Sequence, residues 1–280
     1  MTTRVAILGA GGRMGKCLVQ SACDNNNHAS HTNQVQLAAA LVPEDSALIG
    51  TDIGLEVLNQ SLNIKCTNDF NAVVNDFDVL IDFTRPDVSL HYLALCRQHN
   101  KALVLGTTGF TEAQRLQIEQ AAEDIPIVYA PNMSIGVNLL LGLVDQMGRV
   151  IGNQADIEII EAHHKHKKDA PSGTALAIGE AIAKAQGSTL EEKAVYSRHG
   201  RDIGERQPGS IGFATIRAGD IVGEHTALFA LANERLEITH KASSRRAFAD
   251  GAIYAAAWLN KNQYEKGKNG VFSMQQVLGF

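Results

Sequence analysis

The sequence predicts an α/β protein: a Rossmann-like, doubly wound parallel sheet followed by a second α+β domain built on an open mixed sheet. Three observations predict it. Short, continuously apolar runs alternate with helical patterns through the first half, as strands buried on both faces require. A glycine-rich turn directly follows the first of those runs. The second half changes to strand-like runs separated by tight turn signals.

The elements follow in order. Val5 to Leu8 reads as a buried strand, then a glycine turn and a helix from about Met14 to Cys23. Asp24 to Gln34 holds nothing that can enter a core and reads as a polar loop insert. Gln36 to Val42 is a second strand, stopped by Pro43. Further strands are Val79 to Ile81 with Phe83, Leu103 to Leu105 and Ile127 to Tyr129, separated by helices over Ser89 to His99 and Glu112 to Glu123. A helix from Ile135 to Val150 leads to the strand Ile157 to Ile160, a basic histidine-rich loop and a helix from Thr174 to Gln186. Ile211 to Arg217, Thr226 to Leu231 and Arg235 to His240 read as strands, and Ala247 to Leu259 as a final helix folding back onto the first domain. The expected organisation is therefore a dinucleotide-binding domain over 1–130, completed by 241–280, and a substrate-binding and oligomerisation domain over 131–240.

A formal charge of −5 on 280 residues gives no general attraction to nucleic acid or to anionic membranes, so any anion site must be local. The four cysteines, Cys17, Cys23, Cys66 and Cys96, lack paired spacing and suit reduced thiols in a cytoplasmic protein. The apolar run at the N-terminus is too short for a signal peptide, and no stretch of about 18 apolar residues predicts a membrane span.

Gly9, Ala10, Gly11, Gly12, Arg13, Met14 and Gly15 stand between the first strand and the first helix, where glycines let the backbone approach a pyrophosphate resting on a helix start. The bland alternative is a glycine turn without a ligand. The ribose acid expected about 20 residues on is replaced by Val42 and Pro43, with Glu44 and Asp45 just beyond. No clear arginine for a 2′-phosphate stands there either, although Arg13 in the turn could reach one, so the cofactor is read as NADPH or NADH without a choice. Gly106, Thr107 and Thr108, and Ala130, Pro131, Asn132 and Met133, end two later strands on the side where doubly wound sheets bind ligands. Ordinary strand-end turns would look the same.

Glu161-Ala162-His163-His164-Lys165-His166-Lys167-Lys168-Asp169 is the densest chemistry in the chain. Pro171, Ser172, Gly173 and Thr174 follow and open a helix, which Ser172 or Thr174 can cap. Cations beside a helix start suit a substrate with two carboxylates, and a histidine or desolvated lysine there can supply a proton near neutral pH. Two other readings compete: a solvated basic loop, and a metal site on His164 and His166. The neighbouring lysines would repel a divalent cation, so no metal is expected. Arg245 and Arg246 are placed either for a cofactor phosphate or for solvent, Asp82 and Arg85 for a cofactor contact or a surface ion pair, and Trp258 for the core.

These segments, with Arg217 to Thr226 and His240 to Arg245, resemble the signature segments of the 4-hydroxy-tetrahydrodipicolinate reductase family, in the same order over nearly the whole chain. The resemblance implies a two-domain enzyme that reduces an unsaturated heterocyclic dicarboxylate with NADH or NADPH in diaminopimelate and lysine biosynthesis. By position it implies His163 as general acid and Lys167 as second proton donor. It implies His164, Gly173 and Thr174 as substrate-binding residues. Gly9 to Met14, Gly106 to Thr108 and Ala130 to Met133 would hold the cofactor, and the open sheet would build a homotetramer. The chain departs from the family pattern at Val42-Pro43 and in the longer 24–34 insert.

Two rival functions have the same opening fold. A non-catalytic nucleotide sensor needs an anion pocket but no proton donor. The other is a dehydrogenase of another small acid: its homoserine type would lack the histidine–lysine segment, and its semialdehyde type needs a cysteine nucleophile that no cysteine here is placed to supply.

Overall fold

A computed structural model describes residues 2–24 and 35–280; the insert read over 24–34 therefore lies, from residue 25, outside the described residues. The chain divides into two compact units, Met1–Ile135 with Arg245–Phe280, and Gly136–Ser244.

In the first unit β1 (Thr3–Leu8), α1 (Arg13–Cys23), β2 (Val35–Leu41), α2 (Ile53–Leu58), β3 (Cys66–Thr67), α3 (Phe70–Val73), β4 (Val79–Asp82), α4 (Pro86–Gln98), β5 (Ala102–Leu105), α5 (Glu112–Ala121) and β6 (Pro126–Tyr129) follow one another. The second unit takes α6 (Ile135–Ile151) from its second residue, β7 (Asp156–His163), α7 (Gly173–Ala185), α8 (Leu190–Lys193), β8 (Ala194–Val195), β9 (Ile211–Arg217), β10 (Gly223–Ala230) and β11 (Arg235–Ala242). The chain returns to the first unit with α9 (Arg246–Asn262), β12 (Gly270–Phe272) and α10 (Met274–Leu278).

The first unit's sheet runs β12-β6-β5-β4-β1-β2-β3, every neighbouring pair parallel. Alternate residues feed opposite layers. Val5 and Ile7 join the cluster of Leu18, Ile253 and Leu259 beneath α1 and α9. Ala6 and Leu8 join the cluster of Leu93, Phe110 and Ile118 beneath α4 and α5. Each fully buried Leu, Ile or Phe contributes about 1.5–3 kcal/mol, so a strand apolar on both faces is what this double coverage demands. Trp258 packs against the first layer and meets Phe272 edge-on at 5.5 Å.

The second unit's mixed sheet runs β11-β10-β7-β9-β8. β7 is parallel to β9 and antiparallel to β10. One face packs Ile157, Ile159, Phe213 and Phe229 against Leu140 and Val144 of α6 and Ile178 and Ile182 of α7. The alternate residues, among them Ile160, Ile216 and Leu228, lie on the opposite face, where Ile216 is 46% exposed.

Three sequence expectations are corrected. The strand expected to stop at Ile160 continues to His163, so Glu161 and His163 belong to β7 and not to a loop. Asp82 is fully buried and Arg85 exposed, so they form no surface ion pair. The short elements α2, β3, α3, α8, β8, β12 and α10 were not anticipated.

Candidate active site

The glycine turn of the first unit is shaped by steric necessity. Gly9 sits at φ +71°, a conformation open to glycine. The Gly12 N–H donates to the Gly9 carbonyl at 2.9 Å, and the Ala10 N–H to Leu41 O at 3.0 Å. A Cβ at Gly15 would lie 2.0 Å from the Gly9 carbonyl oxygen, so only glycine lets α1 start this close to the turn. Gly12 caps α1 without a side-chain bond, and the first turn, Arg13 and Met14 included, holds no acid. The N-terminal dipole thus faces the turn uncompensated by protein charge, as a bound pyrophosphate requires.

The later strand ends converge on the same sheet edge. Met14, Gly106, Pro131, Asn132 and Met133 line a cavity of about 230 Å³ with Phe83 and Phe248, two residues that sequence reasoning did not assign. A Cβ at Gly106 would come 2.4 Å from the Phe83 ring. Ala130 and Met133 are buried, while Thr108 is exposed. Thr107 turns its hydroxyl inward, taking a bond from Ser89 at 2.9 Å and giving one to Asp82 at 3.3 Å. Asp82 Oδ1 also accepts the Thr84 N–H and hydroxyl, tying the ends of β4 and β5 together, and burial pushes this carboxyl above the usual range. At the end of β2, Val42 is buried, its N–H donated to Thr67 O at 2.9 Å, so no acid stands where a ribose partner was expected. Arg246 pairs with Asp24 and Asp250, while Arg245 is exposed.

In the second unit, inward positions of β7 that would otherwise carry apolar residues hold Glu161 and His163, both buried. Each Glu161 oxygen meets two donors. Oε1 accepts the Ser172 N–H at 3.0 Å and Arg217 Nη2 at 2.8 Å; Oε2 meets His163 Nδ1 at 2.6 Å and accepts Arg217 Nη1 at 2.8 Å. Burial alone would raise the Glu161 carboxyl, but Arg217, His163 and the Ser172 N–H together hold it below the usual range. Burial pushes the His163 imidazolium down, with the Glu161 carboxylate acting against it. His225 of β10 packs edge-on to His163 with ring centres 5.1 Å apart and meets Ser172 Oγ through Nε2 at 2.8 Å. Burial, aided by the His163 charge, brings His225 down to about 4.

His164 and Lys167 lie in the turn after β7, held by bonds from Lys165 N to Gly219 O, Lys167 N to His164 O and Ala218 N to His163 O. Lys167 Nζ pairs with Asp169 at 2.9 Å, which helps hold that carboxyl below its ordinary range. Ser172 caps α7 by accepting the Ala175 N–H at 3.2 Å, and a Cβ at Gly173 would meet nothing within 4 Å. The first turn of α7, with Gly173 and Thr174, carries no acidic residue. His163, His164, Lys167, Gly173 and Thr174 are thus all in the second unit, and every predicted cofactor residue is in the first. Sequence reasoning missed Glu161, Arg217 and His225 as members of the site. Among the described residues no group of three or more His, Cys, Asp or Glu side chains is placed to hold a metal ion, and no helix is long and apolar enough to cross a membrane.

A dinucleotide turn on a parallel sheet, joined in one chain to proton-carrying groups beside a second helix start, defines a nicotinamide-dependent oxidoreductase. Comparison with known proteins gives the family. Residues 3–133 match the description "Dihydrodipicolinate reductase, N-terminus" and residues 136–278 "Dihydrodipicolinate reductase, C-terminus". The chain belongs to the dihydrodipicolinate reductase family.

Among solved structures, a dipicolinate-bound dihydrodipicolinate reductase from Paenisporosarcina sp. TG-14 is similar with TM-score 0.74 and 26% identity, over 98% of each chain. A probable dehydrogenase from Thermotoga maritima (TM-score 0.58, 10% identity, 98% of this chain and 92% of that one) shares the fold. So does aspartate semialdehyde dehydrogenase II from Vibrio cholerae (TM-score 0.54, 9% identity, 94% and 99%). The chain is accordingly an NAD(P)H-dependent oxidoreductase with the dihydrodipicolinate reductase function of lysine and diaminopimelate biosynthesis.

Proposed function

We propose that the enzyme reduces the dehydrated form of 4-hydroxy-tetrahydrodipicolinate to tetrahydrodipicolinate, with His163 as general acid and Lys167 as second proton donor. The observation that carries this reading is the buried Glu161–His163 pair beside the Ser172-capped start of α7. It joins a proton-exchanging ring to an anion-binding helix end in one unit. The dipicolinate bound in the Paenisporosarcina relative is a dicarboxylate of the class such a site would take.

When bound, the nicotinamide supplies a hydride. Gly9, Ala10, Gly11, Gly12, Arg13 and Met14 would hold its pyrophosphate against the bare start of α1, and the uncompensated turn without room for a Cβ at Gly15 fits that group. Gly106, Thr107 and Thr108, with Ala130, Pro131, Asn132 and Met133, would position the nicotinamide end. The backbone at Gly173 and Thr174 would take one substrate carboxylate, and His164 would bind the substrate from the turn. His163 and Lys167 would deliver protons on the substrate side.

The protein is proposed to work in the cytoplasm as a homotetramer. The uncovered face of the second unit's sheet, with Ile160, Ile216 and Leu228, supports association with further copies through apolar contact. Light scattering at micromolar concentration should give four chains per particle, and Ile216→Lys should reduce that number.

The activity test follows cofactor absorbance with substrate generated in situ, with NADH and NADPH in parallel. Oxidation of either cofactor dependent on the dicarboxylate supports the reading. Cofactor binding without turnover would favour a nucleotide sensor.

A further inference from the structure

We infer that Glu161, clamped by Arg217 and the Ser172 N–H, is a positioning residue that makes Nδ1 of His163 a fixed donor and leaves Nε2 as the only nitrogen through which the ring exchanges its proton. The inference rests on the proton-donor reading of His163 and deepens it.

An ionised carboxylate only accepts, so the nitrogen 2.6 Å from Oε2 must carry hydrogen in both charge states of the ring. Glu161 cannot turn away, because its four contacts come from three separate places: the bidentate Arg217 of β9, the Ser172 N–H before α7 and His163 itself. Arg217 is anchored in turn by donating to Ile216 O at 2.7 Å and Asp169 O at 2.6 Å. In the neutral ring Nε2 is then a lone pair, and in the imidazolium it bears the one transferable proton.

The opposite edge of the ring is kept clear by a second feature. Gly223 of β10 lies against it, and a Cβ there would come 3.1 Å from Nε2 and 3.4 Å from Cδ2. Nε2 makes no hydrogen bond among the described residues, in contrast with Nδ1. One nitrogen is saturated and the other is cleared.

Arg217 also sets the charge balance. A lone buried carboxylate beside His163 would hold the ring protonated, whereas the guanidinium shares that charge and opposes it. The groups that face His163 are Glu161 on its own strand, Lys167 in the following turn, Arg217 on β9 and His225 on β10. Glu161 favours the imidazolium, while Lys167 and Arg217 disfavour it. The two members of the clamp therefore push the ring in opposite directions, which a purely structural support would not do.

The test uses full-length protein with histidines labelled at Cδ2 and Cε1, the His163 signal being assigned with His163→Asn. In wild type, His163 should show the Nδ1–H tautomer when neutral. Glu161→Gln should lose that single tautomer, shift the titration midpoint down and cut kcat about tenfold or more, with cofactor affinity unchanged. Arg217→Gln should shift the midpoint up and carry the falling alkaline limb of kcat with it. The double variant Glu161→Gln/Arg217→Met leaves no unpaired buried charge, and it should still lose the single tautomer if the single variants fold poorly.

An unchanged tautomer in Glu161→Gln or in the double variant overturns the inference. So do midpoints that move the same way in the two single variants. His163→Ala separates this from the underlying reading. Full rate there removes the proton-donor role itself, whereas rate loss there with an unaltered tautomer in Glu161→Gln overturns the positioning role alone.

Discussion

The nucleotide turn of the first unit and the histidine strand end of the second are built from opposite materials. Around Gly9 to Met14 the proposed cofactor contact is backbone: a positive φ at Gly9, a helix start without a side-chain cap and a Gly15 that leaves no space for a methyl group. Around His163 it is side chains, each oriented by the next, with Glu161 holding the ring and Arg217 holding Glu161. The difference follows from the tasks proposed for them. A pyrophosphate needs donors and a dipole that do not titrate, which backbone supplies at any pH. A proton donor needs a group that does titrate, and its charge must be balanced by neighbours. Substitutions in the two regions should therefore fail differently.

The largest expected separation comes from Lys167→Ala. It should lower kcat by about 10²- to 10⁴-fold while the dissociation constant for NADH, read by fluorescence titration, stays as in wild type. Equal loss of both would break the division of labour between the units.

Acid should act on the second region through His225. Its folded value of about 4 lies below the unfolded value of 6.5, so the unfolded state takes up the proton first. Stability present above pH 6.5 is then lost as the pH falls toward 4, by up to about 3 kcal/mol. His225→Asn should flatten that slope when urea midpoints are compared across this range.

On the backbone side, Gly15→Ala should cost about 1–3 kcal/mol of stability by overpacking and weaken NADH binding, with the His163 titration unmoved. Smallest is Gly223→Ala, which should reduce kcat by about tenfold or less, no more than one 1.36 kcal/mol step, and leave cofactor affinity intact.

The two regions also differed in how far they could be read from sequence. The glycine turn is local: strand, turn and helix start lie within Thr3–Cys23, and their order alone is what suggests the proposed phosphate site. Long apolar strands such as Val5 to Leu8 announced the doubly covered sheet. Two-residue β3 and three-residue β12 did not, because such short pieces carry no period and form only against an existing sheet edge. His163, His164 and Lys167 stood out by composition. Glu161 and Arg217 did not, since their pairing depends on the parallel register that sets His163 opposite Arg217 across β7 and β9. One local signal was available: Glu161 and His163 keep the same alternation as Ile157 and Ile159, which marks them as inward-facing strand positions. Phe83 and Phe248 join the cavity lined by Met14, Gly106 and Met133 from β4's end and α9, far apart in the chain, and only the fold brings them together.

The most direct test of the account compares wild type with His163→Ala in two readings on the same preparation: NADPH or NADH oxidation with the dicarboxylate substrate, and cofactor binding without it. The account predicts that His163→Ala loses about 10²-fold or more in kcat with cofactor affinity unchanged. A variant that keeps the wild-type rate, or loses rate only in proportion to lost cofactor binding, would contradict it.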